Sequence, residues 1–204
     1  MNNCRTHYEI IRKKRINILQ AAEHLFFEKG VEHTSMDQVA AKAEASKRTV
    51  YNHFATKEEL FQAILTTMLA KINHGDVIYF NKNQPIDLQL TAIAEQEVAM
   101  LTSPDFLRLA KIAFMQMLQE PQLAKSLSNN TMGCMTYLED FLEQARTAGV
   151  LKGDELNIAA KQFVYQLKSF VFYPLLYGFE TITEQQNNKV IEQTVSLFLA
   201  KYKA

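Results

Sequence analysis

The sequence of 204 residues is poor in the two residues that interrupt helices, with six glycines and four prolines. Long helices tolerate few of either, so their scarcity favours an all-helical chain. No stretch reaches the roughly 18 uninterrupted apolar residues of a membrane span. The N-terminal sequence MNNCRTHYEIIRKKR lacks the apolar run of a signal peptide. These absences predict an all-α cytoplasmic protein that does not act in a membrane.

Cysteine and the motifs of catalysis are equally scarce. Cys4 and Cys134 form no CxxC pair, so we expect neither a disulfide framework nor a zinc site. A small buried residue is the default role of each cysteine, and a regulatory thiol is the alternative. The five histidines do not cluster with cysteines or paired carboxylates, and GxSxG, HExxH, P-loop and dinucleotide motifs are missing. We therefore predict no catalytic residues, no metal and no cofactor.

Charge is balanced overall, with 22 basic and 22 acidic residues, but it is unevenly placed. Residues 1–57 hold ten Lys and Arg against six Asp and Glu, and the remainder is acidic by the same margin. A basic front on an acidic body indicates that the front alone faces a polyanion. An imbalance of four charges can also arise by chance.

Apolar residues recur at helical spacing along most of the chain, and no run shows the period-two alternation of a strand. The first helix covers 16–29 and ends at Gly30, and the capping-box spacing of Thr6 and Glu9 would extend it through the basic run 12–15. Later helices are predicted over 86–101, 104–119, 121–149 and 155–179, giving about nine in total. Their expected N-caps are Ser35 (with Gln38, and Thr34 competing), Ser46, Thr56 (with Glu59), Ser103, Asp154 and Thr183 (with Gln186).

Residues 36–54 fit a helix-turn-helix motif whose two short helices are joined by the tight turn EAS. Small Ala40 and Ala43 let the two helices cross closely. Val50 and Phe54 share one face of the second helix and are expected to hold it to the core. In this motif the second helix enters the major groove of DNA with its N-terminal end near the bases.

The other faces of the second helix carry side chains suited to DNA. Lys47 and Arg48 can bind phosphate or guanine, and Asn52 can pair with adenine. The hydroxyl of Thr49 and the polar ring atoms of Tyr51 and His53 suit contacts with the DNA backbone. The backbone N–H groups at helix starts can also bind its phosphates. The candidate DNA-binding residues are Ser35, Ser46, Lys47, Arg48, Thr49, Tyr51, Asn52, His53 and Lys57. The alternatives are a solvated polar face and, for His53, simple packing.

Residues 16–62 resemble the DNA-binding domain of the tetracycline-repressor (TetR) family of bacterial transcription regulators. The likeness is carried by ILQAAEHLFFEKG, TSMDQVA and SKRTVYNHFATKEELF, and the run from Thr49 to Leu60 is highly specific. The resemblance implies that residues 46–54 form the recognition helix. It assigns phosphate contacts to Thr49, Tyr51 and Lys57, and variable base-facing positions to Lys47, Arg48 and Asn52.

Two departures from the family pattern stand out. Members often carry Gly-Val where this chain has Glu44–Ala45. A non-Gly residue in a left-handed conformation costs about 1 kcal/mol, so Glu44 is expected to adopt another turn geometry. The segment before the first helix is also longer than the minimum, and its basic run is expected to reach an adjacent phosphate or the minor groove.

The resemblance divides the chain into a DNA-binding domain, 1–62 with a basic extension 1–15, and a domain for effector binding and dimerisation, 63–204. LRLAKIAFMQML and YLEDFLEQARTAGVL are similar to the AefR-like group of TetR C-terminal domains. The last two helices are the expected homodimer surface. Segment 155–179 and a stripe on the last helix suit that role, the alternative being that both are core. The stripe consists of Ile191, Val195, Phe198 and Tyr202.

Apolar side chains in the C-terminal part suggest a pocket for an aromatic or lipophilic small molecule. Pro174 can kink or end its helix, which is one way to open a cavity. The alternative for these side chains is core packing. The candidate pocket residues are Phe106, Leu109, Phe114, Met117, Leu118, Phe163, Leu167 and Phe170.

These features predict a homodimeric, nucleoid-associated repressor that reads a pseudo-palindromic double-stranded DNA operator. A small lipophilic or aromatic effector would release it by binding one conformation preferentially. The alternative is an effector-independent architectural or adaptor protein that binds DNA and has a filled core.

Overall fold

The structure is a computed structural model that describes residues 2–72, 75–120, 122, 125 and 133–204, with the side chains of residues 2–8 left out. Regular structure in this part is helical, apart from one antiparallel bridge between Leu151 and Lys203. The all-α prediction is confirmed. No helix of the described ranges is long and apolar enough to cross a membrane.

The helices follow the chain with short connections. They are α1 (Asn2–Lys29), α2 (Met36–Lys42), α3 (Lys47–His53), α4 (Lys57–Leu69), α5 (Ile86–Thr102), α6 (Pro104–Gln119), a 3₁₀ turn (Gly133–Thr136), α7 (Leu138–Thr147), α8 (Leu156–Leu167), a π-helical section (Lys168–Phe172), α9 (Tyr173–Tyr177) and α10 (Glu184–Tyr202). Because α8, the π-helical section and α9 run on without a break, the described chain has nine continuous α-helical stretches.

The chain forms two compact units, Met1–Lys71 with Arg108–Ala124, and Ile72–Leu107 with Lys125–Ala204. The predicted DNA-binding domain 1–62 lies within the first unit. The predicted boundary between residues 62 and 63 stays a prediction.

The core of the first unit is built where α1 packs against α2 and α4. Ile18 and Ala22 of α1 are fully buried, and the rings of Phe26 and Phe61 lie 6.1 Å apart. Val39 on α2 is buried as well. Burying a side chain of this size contributes about 1.5–3 kcal/mol, so these contacts fix the scaffold on which α3 is mounted.

Local capping explains where the first helices begin and end. Helix α1 ends at Lys29 because Gly30 takes a φ of 83°, a left-handed conformation that glycine adopts without steric cost. Ser35 forms the predicted capping box with Gln38. The competing Thr34 is buried and donates its hydroxyl to the Gly30 carbonyl at 2.8 Å. Helix α1 starts at Asn2, so the basic run is helical and Thr6 is not a cap.

The third predicted box is half formed. The Thr56 hydroxyl accepts a hydrogen bond from the Glu59 backbone N–H, as expected of an N-cap. The Glu59 carboxylate accepts from the Ala55 N–H at 2.8 Å rather than from Thr56. It therefore closes the loop one residue before the cap.

The turn between α2 and α3 corrects one expectation. Glu44 has a φ of 51° and is the one non-Gly residue of the described chain in the left-handed region. The prediction that it would avoid this geometry was wrong. The hydrogen bond from Ala45 N–H to Ala40 carbonyl, 3.0 Å long, holds the chain in the tight reversal that requires it.

The second unit corrects two further expectations. Asp154 does not cap α8, since the N-cap is Glu155 without a side-chain hydrogen bond, and Asp154 instead lies 3.7 Å from Arg146. The helix predicted over 121–149 is not continuous in its described part, because a 3₁₀ turn precedes α7, which ends at Thr147. Its predicted start at Pro121 lies outside the described residues, as does part of the fraying predicted at 73–75.

Pro174 lies where the helical repeat changes. The Tyr173 N–H donates to the Lys168 carbonyl, a π-type bond, just before the proline that has no N–H to offer. The helix continues to Tyr177 and stops at Gly178, whose φ is 71°. The proline therefore changes the helix locally and does not end it.

The stripe predicted on α10 is core. Ile191, Val195, Phe198 and Tyr202 are 5–8% exposed within the second unit, where α10 packs against α5 and α8. The interpretation of this stripe as dimer surface was wrong. Packing the same side chains against α5 and α8 leaves the opposite side of α10, including Leu197 at 61% exposure, in contact with solvent.

Candidate DNA-binding surface

Two buried apolar side chains hold helix α3 against the core of the first unit. Val50 is fully buried, and Phe54, the C-cap of the helix, is 1% exposed. The guanidinium of Arg15 on α1 lies over the Phe54 ring, 4.5 Å from its centre. A cation over an aromatic face adds about 0.5–1 kcal/mol at an exposed site. Sequence reasoning did not find this contact, since its partners are far apart in the chain.

The N-terminal end of α3 is capped by Ser46. Its hydroxyl accepts from the Thr49 N–H at 3.1 Å and pairs with the Thr49 hydroxyl at 2.8 Å. Both residues remain accessible, Ser46 exposed and Thr49 half-buried. The open end of the helix presents N–H groups and a positive dipole end, which favour an anion such as phosphate. Ser35 caps α2 in the same way.

The outer faces of α3 are polar and exposed. Arg48, Tyr51 and Asn52 project from it, with Tyr51 49% exposed. Arg48 forms no ion pair with another described residue. The side chains that the sequence assigned to base contact are therefore brought together on one short helix with Val50 and Phe54 turned inwards.

Lys47 has a partner that the sequence did not predict. Its ammonium donates to the Asp37 carboxylate on α2, and this hydrogen bond, with the charge of Asp37, raises the pKa of Lys47 above 10.5. Both side chains are largely exposed, so the pair adds little to stability. To contact DNA, Lys47 has to exchange Asp37 for a phosphate or a base.

Lys57 is also held within the protein. Its ammonium donates to the Val31 carbonyl at 2.9 Å and lies 3.5 Å from the Glu32 carbonyl. It fastens the start of α4 to the loop before α2. An ammonium has three donors, so one is still available to a phosphate.

His53 is half-buried beside Phe54, with ring centres 6.4 Å apart. Burial lowers its pKa below 6.5, and the charges of Arg15 and Lys14 lower it further. Arg15, whose guanidinium lies over the Phe54 ring, brings the basic extension close to the C-terminal end of α3. The sequence indicated the charge of the basic run 12–15. Its place beside α3 became apparent only because the structure shows the run as part of helix α1.

The candidate effector residues are divided between the units. Leu109, Phe114, Met117 and Leu118 belong to the first unit, and Phe106, Phe163, Leu167 and Phe170 to the second. Phe106 is buried and its ring lies 5.4 Å from that of Phe172. Leu118 and Phe170 are 87% and 59% exposed, while Leu109, Phe163 and Leu167 are buried. The pocket stays a prediction.

A partly open groove of about 360 Å³ lies between α8 and α10 in the second unit. Most of its lining surface is apolar. It is lined by Gln162, Phe163, Gln166, Thr194, Leu197, Phe198, Lys201 and Tyr202. The described residues contain no group of three His, Cys, Asp or Glu side chains that could hold a metal ion.

Family models match both parts of the chain. The model of bacterial regulatory proteins of the tetR family matches residues 18–64, and that of the AefR-like transcriptional repressor C-terminal domain matches residues 88–204. The chain belongs to the TetR family. The family resemblance is confirmed, and the chain is a transcriptional regulator rather than an enzyme. TetR-family regulators bind operator DNA and dimerise.

Individual relatives agree over nearly the whole length. An uncharacterised regulator of Bacillus subtilis strain 168, YhgD, is 28% identical over 199 residues, covering 94% of this chain and 96% of that protein. A TetR-family regulator from Pseudomonas syringae pv. tomato DC3000 is 32% identical, with a TM-score of 0.79 over 94% of this chain and 97% of that chain. The flavonoid-responsive regulator FrrA is 27% identical, with a TM-score of 0.74 over 93% and 97%.

Proposed function

We propose that this TetR-family regulator is a homodimeric repressor that reads a pseudo-palindromic operator through α3. The observation that carries the proposal is the division of α3 into two sides. Val50 and Phe54 fix its inner side to the scaffold, while Arg48, Tyr51 and Asn52 stand exposed on the outer faces. Two such helices would enter successive major grooves about 34–36 Å apart.

Within this proposal the polar residues have different tasks. Arg48 and Asn52 read base edges, since both are exposed. The hydrogen-bonding groups of arginine match guanine, and those of asparagine match adenine. Ser35, Ser46, Thr49 and Lys57 contact the DNA backbone, because they lie at or beside helix starts. Tyr51, further along α3, contacts it through its exposed ring and hydroxyl. Lys47 contributes after leaving Asp37, and His53 supports the far end of α3.

The basic extension would add to the phosphate contacts. The guanidinium of Arg15 lies 4.5 Å from the centre of the Phe54 ring, so the helical basic run comes close to the recognition helix. Its charge is held at fixed angular positions by α1. Contact with the phosphate beside the operator half-site follows from this placement.

The operator can be found by selecting double-stranded DNA from a random pool with the purified full-length protein. Replacing Arg48 or Asn52 by Ala is expected to change the selected sequence and to cost about 1–3 kcal/mol on the original operator. Replacing Tyr51 by Ala should weaken binding to all sequences and flatten its salt dependence. Fluorescence anisotropy at several salt concentrations measures both effects.

Lys189→Ala is the matched control, since Lys189 is an exposed cation in the second unit. It should leave affinity and sequence preference unchanged. If the α3 variants select the same operator with the same affinity as the parent, the assignment of α3 as the recognition helix is lost.

We further propose release by a small aromatic or lipophilic effector. The candidate pocket residues are apolar and aromatic, which suits such a molecule, and the relative FrrA is described as flavonoid-responsive. An effector shifts the equilibrium only by its differential affinity for the two conformations. Addition of the effector should therefore lower operator affinity in the anisotropy assay.

A further inference from the structure

A buried carboxylate in the second unit has no task in the function proposed so far. Glu97 of α5 is 1% exposed. One of its oxygens, Oε2, accepts a hydrogen bond from the Cys134 backbone N–H at 2.9 Å. The other, Oε1, is buried without a hydrogen-bond partner. No described cation forms an ion pair with Glu97.

Two more buried oxygens nearby in sequence or space lack partners. The hydroxyl of Tyr137, at the start of α7, is one, and Oε1 of Gln96, next to Glu97 on α5, is the other. Burial raises the pKa of Tyr137 to about 12, with Cys134 and Glu97 adding to it. The backbone amide of Ile78 lies near this hydroxyl and offsets part of the rise, without forming a hydrogen bond of normal geometry.

The position of the carboxylate depends on a glycine. A Cβ on Gly133 would lie 2.2 Å from Glu97 Oε2 and 2.7 Å from Met100 Cε. Gly133 also has a φ of 61°, which glycine adopts without strain. The 3₁₀ turn can therefore approach α5 closely enough to hold one carboxylate oxygen and leave the other without a partner.

The neighbouring groups do not balance the carboxylate. The Cys134 thiol stays neutral, since burial raises its pKa and the charge and side-chain hydrogen bond of Glu97 raise it further, so it offers the carboxylate only a weak donor and no charge. The charge of Lys168 acts on Cys134 in the opposite direction but is a smaller influence. A protonated Glu97 would be no better satisfied, because its O–H would then lack an acceptor. A buried polar group without a partner costs about 1–3 kcal/mol, and a charged one more.

The surroundings add two observations. Helix α5 packs against the π-helical section Lys168–Phe172, and such sections occur frequently at functional sites. One turn after Tyr137, the ring of Phe141 meets that of Phe80 edge to face, with centres 5.8 Å apart. Packed aromatic rings therefore adjoin the buried oxygens that lack hydrogen-bond donors.

We propose that Glu97 and Tyr137 form the polar anchor of the effector site and that the effector is an aromatic cation with N–H donors. An amidinium or ammonium group would donate to Glu97 Oε1 and to the Tyr137 oxygen, and its charge would balance the buried carboxylate. The aromatic body would lie against apolar side chains. This inference rests on the proposed effector response and narrows its chemistry.

The test uses the full-length protein without DNA and three matched pairs of probes. Benzamidine, 2-naphthamidine and 4-phenylbenzamidine carry the cation, and the three corresponding carboxamides are neutral analogues of the same size. Isothermal titration calorimetry is expected to give, for at least one pair, a Kd for the amidine at least about ten-fold lower than for the amide, or 1.4 kcal/mol.

Glu97→Gln keeps the side-chain volume and the oxygen that accepts from Cys134, and it should abolish the preference for the cation. Tyr137→Phe should weaken amidine binding less. Glu95→Gln removes an exposed carboxylate from the same helix and is the matched control, expected to bind as the parent does. Thermal unfolding of each variant, with and without amidine, checks folding and gives a second readout: the parent is stabilised and Glu97→Gln is not.

Equal affinities within every pair, no saturable binding of any probe, or an unchanged preference in Glu97→Gln overturns the proposal. A buried water on Glu97 Oε1 would produce the first of these results. Operator binding is measured separately by anisotropy. If the anisotropy measurements contradict α3 as the recognition helix, the calorimetric evidence on amidine binding is not affected. An amidine that binds through Glu97 yet leaves operator affinity unchanged overturns the effector role of this site.

Discussion

His53 is the residue whose environment differs most from what its sequence neighbours suggest. The sequence left packing and phosphate contact as alternatives, and the structure shows a half-buried ring with the cations Arg15 and Lys14 close by. Both burial and these charges disfavour the imidazolium. Neutral His53 is therefore the form that α3 carries at neutral pH in the free protein.

We predict that Arg15→Gln raises the pKa of His53 towards 6.5, because it removes the larger of the two charge effects. Lys13→Gln, a change of the same charge one position from Lys14, should leave it nearly unchanged. An NMR titration of the imidazole protons measures both. Equal shifts in the two variants would contradict the placement of Arg15 beside His53.

The same lowered pKa makes stability depend on pH. The unfolded chain protonates His53 near pH 6.5, while the folded chain does so at lower pH. Above pH 6.5 both states are neutral and the group contributes nothing. As pH falls through 6.5 the unfolded state binds the proton first, so this histidine then lowers the free energy of unfolding.

Residues whose partners are local could be predicted, and those with distant partners could not. Ser35, Ser46 and Thr183 cap their helices as expected, because an N-cap depends on groups within three residues. Lys57 donates to carbonyls 25 and 26 residues away, and no local pattern contains that information. Asp154 does not cap its helix, because the helix begins at Leu156 and its N-cap is Glu155.

At the scale of elements, the turn between α2 and α3 shows how tertiary packing overrides a local preference. The left-handed conformation of Glu44 is unfavourable for a residue with a Cβ, yet Val39, Ala40 and Val50 are all buried on either side of it. Their burial requires the two helices to cross at this turn. The helix-turn-helix motif was predicted correctly from the sequence, but the conformation of its turn was not. The prediction considered only the conformational cost at Glu44 and not the burial of the flanking helices.

We expect Glu44→Gly to be more stable than Glu44→Ala by about 1 kcal/mol, since both remove the carboxylate and only glycine relieves the strain. Ala41→Gly, at an exposed position in the last turn of α2, is the control and should destabilise by about 0.5–1 kcal/mol. Chemical denaturation measures the three free energies of unfolding. A less stable Glu44→Gly than Glu44→Ala would show that the turn is not strained.

The long helix that contains Pro174 makes the same point with a different outcome. The sequence offered a kink or an end at this proline, and the chain instead adopts a π-helical section before it. The insertion shifts the helical register, so residues after it face directions that a uniform period would not predict. Tyr177, the last residue of this helix, is 57% exposed.

At the scale of the whole molecule, the fold class followed from the sequence, but the outward face of α10 did not. Periodicity shows that a helix has an apolar side without showing what covers it. Here Ile191 and Val195 are covered by the chain itself. The homodimer surface proposed for the last two helices therefore has to use exposed side chains such as Leu197, which lines the open groove of α8 and α10.

We predict that Leu197→Glu shifts the protein from dimer to monomer, because a charge would be buried without a partner at the interface. Leu88→Glu is the matched control, since Leu88 on α5 is 62% exposed and Leu197 61%. Sedimentation velocity over a range of concentrations measures the dimer dissociation constant. Equal effects of the two changes would place the interface elsewhere.

The contact between Arg15 and Phe54 sets a limit on how the DNA-binding part can be isolated. The family match begins at residue 18, downstream of Arg15, so a fragment trimmed to that match would lack the cation over the Phe54 ring. The Phe54 ring at the C-terminal end of α3 would then lose its contact with Arg15. A fragment intended to bind DNA by itself has to start within or before the basic run 12–15.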